Sequence, residues 1–195
     1  YNPEAVMALL TADQLIEPPE VLQQALTDAF TFLARHPEAL ITFGIKPTFP
    51  STQLGYIKCG DPGQCPNCRN LVYSVKAFQE KPDQETARQY VESGAYSWNS
   101  GMFVWRARTI LDNLQEFLPE ATEPLRRIAG AWDTPIQEKV LQECIIGQPR
   151  HVVHLSARDV PRPPASGKIP PDKAFYLSRP SRSRGISAGH RMTIP

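Results

Sequence analysis

Several short groups of residues in this chain have the chemistry to hold a small, polar, phosphorylated ligand. Residues 94–105 read Gly-Ala-Tyr-Ser-Trp-Asn-Ser-Gly-Met-Phe-Val-Trp, aromatic and apolar at both ends with Asn99, Ser100 and Gly101 between. Gly weakens a strand and Asn disfavours one, so a stretch built only for packing would place branched residues there. Such a breach of local preference marks a ligand brought close to backbone. Asn99, with one acceptor and two donors, suits a diol; its other use is to fix a bend through backbone hydrogen bonds. Upstream, Phe78-Gln-Glu-Lys-Pro82 ends an apolar run with an acid beside a base. Glu80 can accept two hydrogen bonds from sugar hydroxyls, and Lys81 can set a cation against a phosphate. Adjacent Glu and Lys are equally at home on a solvated surface.

Gly55-Tyr56 follows a Pro/Thr loop and either lets backbone approach a sugar or makes an ordinary turn. Asp13 follows the first apolar run. A lone carboxylate there holds Mg²⁺ alongside phosphate oxygens, or simply caps the next turn. Cys59, Cys65 and Cys68 have the spacing of part of a tetrahedral zinc site, with Cys144 or a distant His as fourth ligand; the alternative is an uncommitted loop.

These groups need a scaffold. Residues 5–10 form a continuous apolar run, as expected of a buried strand. Pro18-Pro19 then opens a helix on which Leu22, Ala25, Leu26, Ala29, Phe30 and Leu33 recur at helical spacing. Residues 39–45 read as a second buried strand. Strand, helix, strand predicts a parallel pair with a right-handed crossover, hence an α/β layer fold. Residues 54–58 and 71–78 are further strands, joined by a Gly-, Pro- and Asn-containing surface loop. Asp83 caps a helix that Gly94 stops, and the aromatic strand follows. Three amphipathic helices then fill residues 106–117, 120–129 and 135–144.

The chain has 195 residues, 41% of them hydrophobic, enough for a real core. Its net charge of +1 argues against a dedicated nucleic-acid binder. That total hides an asymmetry: residues 150–195 hold nine Lys or Arg against two Asp or Glu. No apolar run reaches the length of a membrane span, and nothing resembles a signal peptide. Four cysteines are too few for a disulfide scaffold of this size, which fits a reducing, cytoplasmic setting. Residues 149–195 contain eight prolines and seven arginines, too little apolar surface to offset ordering entropy, and are expected to be disordered.

Five stretches in order resemble mannose-1-phosphate guanylyltransferases, within the sugar-phosphate nucleotidyltransferase family. They are Leu10-Thr-Ala-Asp-Gln-Leu-Ile16, Ile41-Thr-Phe-Gly-Ile-Lys-Pro-Thr48, Leu54-Gly-Tyr-Ile57, Phe78-Gln-Glu-Lys-Pro-Asp83 and Tyr96-Ser-Trp-Asn-Ser-Gly-Met-Phe103. The resemblance implies a Rossmann-like nucleotidyltransferase fold, here incomplete, with residues 1–147 as its sugar-phosphate-binding half and 148–195 as a basic tail foreign to it. It implies Asp13 as the Mg²⁺ ligand, with Gln14 where the family usually has His. Gly55 and Tyr56 would line the sugar site, Glu80 and Asn99 would hold the sugar, and Lys81 would face the phosphate. GTP and mannose-1-phosphate would be the substrates, GDP-mannose and pyrophosphate the products.

Two features depart from the family. Its glycine-rich signature, Gly-x-Gly-x-Arg with a later Lys, does not occur in this chain, so the isolated polypeptide is expected not to be a competent enzyme. A second metal-binding Asp near a Gly-Trp pair is also missing, and an apolar sheet edge is expected to lie exposed. Glucose-1-phosphate uridylyl- or thymidylyltransferases share the architecture. A sugar-phosphate-binding module without catalysis and an RNA-binding role for the tail are further alternatives, and a homo-oligomer is left open.

Overall fold

The structure, a computed structural model, describes residues 2–146, 174–178 and 192–193. The first apolar run becomes β1 (Val6–Leu9), followed by a two-residue strand β2 (Leu15–Ile16). Helix α1 (Glu20–Leu33) begins directly after the proline pair, where a missing backbone N–H costs nothing. Then come β3 (Leu40–Ile45), β4 (Tyr56–Pro62) and β5 (Leu71–Gln79). Helix α2 (Gln84–Ser93) starts on Asp83, whose side chain accepts the Thr86 N–H at 2.8 Å, and stops at Gly94 in the left-handed region, φ +63°. The aromatic stretch is β6 (Tyr96–Arg106). Helices α3 (Ala107–Phe117), α4 (Pro119–Ala131) and α5 (Gln137–Ile146) follow, and short strands β7 (Ala174–Ser178) and β8 (Met192–Thr193) complete the described chain.

The main sheet has the order β1-β6-β3-β7-β5-β4, with β4 also pairing β6. Both β1 and β3 pair antiparallel with β6. They therefore run parallel to each other, as the crossover predicts, but are not neighbours: β6 lies between them. This matches β6 itself, none of whose eleven residues is exposed, as expected of a strand covered on both faces in the interior of a sheet. The sheet is thus mixed, with antiparallel pairs dominating.

The tail also departs from expectation at two places. Residues 174–178 pair parallel with β3 and antiparallel with β5, and β8 pairs with β2. Ala-Phe-Tyr-Leu is the tail's one aromatic run, with the composition a strand needs. The remaining tail residues for which disorder was expected lie outside the described ones.

Contacts divide the chain into two compact units, Tyr1–Thr109 with Ile169–Pro195, and Ile110–Lys168. In the first, α1 lays Ala29, Phe32 and Leu33 on Ile41, Phe43, Val72, Met102 and Val104 of the sheet. Phe32 is the buried ring, while Phe30, expected on the core stripe, is 45% exposed. A smaller cluster, Tyr56, Ala87 and Trp98, fastens α2 to β4 and β6. In the second unit α4 and α5 pack together, with an Arg127–Glu143 ion pair at 2.6 Å. Among the described residues, no helix is long and apolar enough to cross a membrane.

Candidate functional site

The Asn-Ser-Gly interruption of β6 is a bulge. Against β3, Thr42 pairs with Phe103 and Gly44 with Asn99, so β6 spends more residues than its partner across this gap. Gly101 takes φ +74°, a conformation that strains any side chain, and a Cβ there would touch the Thr11 methyl at 3.4 Å. A bulge frees backbone groups that must find partners when buried. Here side chains supply them. Ser100 Oγ accepts the Met102 N–H at 3.1 Å, Thr42 Oγ1 lies 3.0 Å from the Met102 carbonyl, and Gln14 Nε2 donates to the Ser100 carbonyl. Ser100 and Thr42 are both buried.

The bulge aims Asn99 towards the start of β4. Its N–H donates to the Gly55 carbonyl at 2.8 Å, and its side-chain Oδ1 lies 2.7 Å from Thr42 Oγ1. Gly55 in turn lies under Glu80: a Cβ on it would meet Glu80 Oε2 at 2.8 Å and the Phe78 ring at 2.9 Å. The sequence therefore needs Gly at 55 for the carboxylate to lie where it does. Lys81 Nζ stands 3.8 Å from Glu80 Oε1, both side chains part-exposed. Lys81 also adopts φ +43°, rare for a residue with a Cβ and worth on the order of 1–3 kcal/mol of strain. The Asp83 cap and buried Pro82 hold the chain just beyond it.

Gly55, Glu80, Lys81 and Asn99 are thus brought together. Asp13 is exposed on the loop after β1, and its neighbour Gln14 ties that loop to the bulge at Ser100. Tyr56 does not line the site with its side chain. Strand alternation turns it inward, where it is fully buried and its hydroxyl is bonded to the backbone N–H and carbonyl of Ser51. Of the two readings of the cysteine loop, a zinc site or an uncommitted loop, the structure shows a loop in which Cys65 and Cys68 are joined in a disulfide with Cα atoms 5.3 Å apart. Among the described residues no group of three or more His, Cys, Asp or Glu could hold a metal. Thr42 was not singled out from the sequence. The signal was a lone hydroxyl in an otherwise apolar run, Leu40-Ile-Thr-Phe-Gly-Ile.

The domain is thus of the α/β class, a mixed sheet with helices, and around Gly55 it gathers an acid and a base just past the end of β5 and an amide within β6. The chain belongs to the nucleotidyl transferase family, whose model, described as Nucleotidyl transferase, matches residues 2–137. It is 33% identical over 162 residues to the mannose-1-phosphate guanylyltransferase of Escherichia coli (strain K12), covering 82% of this chain and 33% of that protein. It is 41% identical over 118 residues to the mannose-1-phosphate guanylyltransferase ManC of Salmonella typhimurium, covering 60% and 24%. The xanthan biosynthesis protein XanB of Xanthomonas campestris is 38% identical over 130 residues, covering 67% and 25%. The chain therefore spans about a quarter to a third of the length of these relatives. A solved structure described as mannose-1-phosphate geranyltransferase from Thermus thermophilus superposes with TM-score 0.63 at 22% identity, covering 89% of this chain and 44% of that one. This last likeness is one of fold.

Proposed function

We propose that this chain supplies the sugar-phosphate site of a mannose-1-phosphate guanylyltransferase, an enzyme that transfers GMP from GTP to mannose-1-phosphate and releases pyrophosphate. The observation that supports this reading best is the meeting of Glu80, Lys81 and Asn99 around Gly55. Glu80 accepts from sugar hydroxyls, Asn99 contacts the sugar from the neighbouring strand, and Lys81 offsets the charge of the 1-phosphate. A phosphate oxygen of the sugar then attacks the α-phosphorus of GTP. That step needs no protein nucleophile; it needs two anions held in line.

Magnesium, when bound, offsets the repulsion between those anions. Asp13 is the residue that would hold it. A hard cation that keeps one or two carboxylates and completes its shell with phosphate oxygens fits an exposed lone carboxylate better than a closed cage, and no such cage occurs among the described residues.

Titration of the chain with mannose-1-phosphate by isothermal calorimetry tests the reading. Saturable binding is expected, weaker for glucose-1-phosphate, and reduced roughly tenfold or more by Glu80→Ala. Heat changes indistinguishable from dilution at millimolar sugar phosphate would count against it.

A further inference from the structure

We propose that Thr42 is a positioning residue: it holds the Asn99 amide with its nitrogen turned inward, so that Oδ1 faces the ligand as an acceptor. The ligand part of this inference rests on the sugar-phosphate reading above. The protein part rests on β3 and β6 alone.

The number of available hydrogens decides the orientation. Thr42 Oγ1 stands 2.7 Å from Asn99 Oδ1 and 3.0 Å from the Met102 carbonyl. Both are acceptors, and a hydroxyl has one hydrogen to give. The Met102 carbonyl cannot change its character, and the bulge has shifted it out of the regular β3–β6 register. An amide can change, because its oxygen and nitrogen are nearly the same size and exchange places on a half-turn. That half-turn gives each contact its own hydrogen: Asn99 Nδ2 donates to Thr42 Oγ1, and Thr42 donates to Met102. Both distances lie within the ranges of N–H···O and O–H···O bonds. Thr42 is buried, so no solvent relieves a shortage there, and a buried polar contact left without a hydrogen is the costlier arrangement.

Asn99 Oδ1 then takes the outward place, on the strand position whose backbone is bonded to Gly55, beneath Glu80. Glu80 as a carboxylate only accepts. The two residues together present acceptors, and the ligand they select must donate from neighbouring positions. A hexose with adjacent hydroxyls does so; an analogue lacking one of them does not.

The experiment has a ligand-free arm and a ligand arm, both on the full 195-residue chain. In the first, the Asn99 side-chain amide is followed in ¹H–¹⁵N correlation spectra. At least one Nδ2 hydrogen is expected to exchange with solvent more than tenfold slower than those of exposed Asn residues. The protection disappears in Thr42→Val and returns in Thr42→Ser. Unprotected hydrogens in the wild-type chain overturn the proposal, and this measurement needs no variant to fold. In the second arm, mannose-1-phosphate is titrated by calorimetry. Thr42→Val weakens binding about tenfold and Thr42→Ser less than threefold. The Thr42→Val penalty shrinks for a deoxy analogue lacking the hydroxyl that Oδ1 accepts; an equal penalty for all analogues overturns the orientation. Protection without any sugar-phosphate binding leaves Thr42 in this role and refutes the sugar-phosphate reading instead.

Discussion

Asp28 shows how one residue can hold a loop in place. It is 1% exposed on α1 and accepts from Gln24 Nε2 at 2.8 Å, from the Arg69 and Asn70 N–H groups at 3.1 and 2.8 Å, and from Asn70 Nδ2 at 2.7 Å. Through these bonds the β4–β5 connection, with its Cys65–Cys68 bridge, is fixed to the helix. Asp28→Ala takes the shared acceptor from donors that are part-buried or exposed and is expected to lower unfolding free energy by about 2 kcal/mol, measured by urea denaturation. Asp28 lies off α1's apolar stripe and reads as an outward polar position, because its loop partners Arg69 and Asn70 lie some forty residues on and no local spacing announces them. Lys81 poses the opposite case. Its φ of +43° is a local cost, so Lys81→Gly should raise stability by about 1 kcal/mol while weakening mannose-1-phosphate binding. A variant that gained both stability and affinity would show that the strain has no part in binding.

Helix α2 follows immediately on Glu80 and Lys81, so its first turn helps fix where they stand. The Thr86 backbone N–H bonded to Asp83 holds that carboxyl below its ordinary value of 3.8. A carboxyl lowered on folding adds stability above the unfolded value, and that contribution is lost as pH falls through the folded one. Protection of the α2 amides in hydrogen exchange should therefore be constant from neutrality down to about pH 4 and decline below it. Asp83→Ala should show the low protection at every pH, and Asp83→Asn should abolish the pH dependence while retaining much of the cap. This element was fully legible in the sequence, because Asp83 and Gly94 act within one turn of themselves. The β1–α1–β3 unit was legible in direction but not in neighbourhood. Placing β6 between its strands depends on a pairing some sixty residues away, which hydrophobic period alone does not encode. The site divided along the same line. Glu80, Lys81 and Asn99 stood out as polar groups where a strand should be apolar. Tyr56 was misplaced because a glycine-aromatic pair does not say which of its residues turns inward.

At the scale of the whole chain, the described sheet ends on β1, which pairs only with β6. All four of its residues are exposed, with Val6 at 40%, Met7 at 46% and Leu9 at 52%. The apolar run at residues 5–10 was expected to be a buried strand; it is instead the exposed edge, because β6 takes the interior place and β1 is left with one neighbour. Such an edge offers a row of unpaired N–H and C=O groups beside apolar side chains, the combination that templates pairing with another chain. The chain is therefore expected to associate with itself as concentration rises, seen as an increasing weight-average sedimentation coefficient in analytical ultracentrifugation. A lysine at the edge opposes this by charge repulsion and by the cost of desolvating its ammonium. Met7→Lys should hold the chain monomeric at concentrations where the wild type associates. Trp132→Lys removes a ring that is 56% exposed in the other compact unit and should leave association unchanged. If Trp132→Lys abolished association and Met7→Lys did not, the contact would lie on the helical unit, and β1 would be an edge that solvent alone covers.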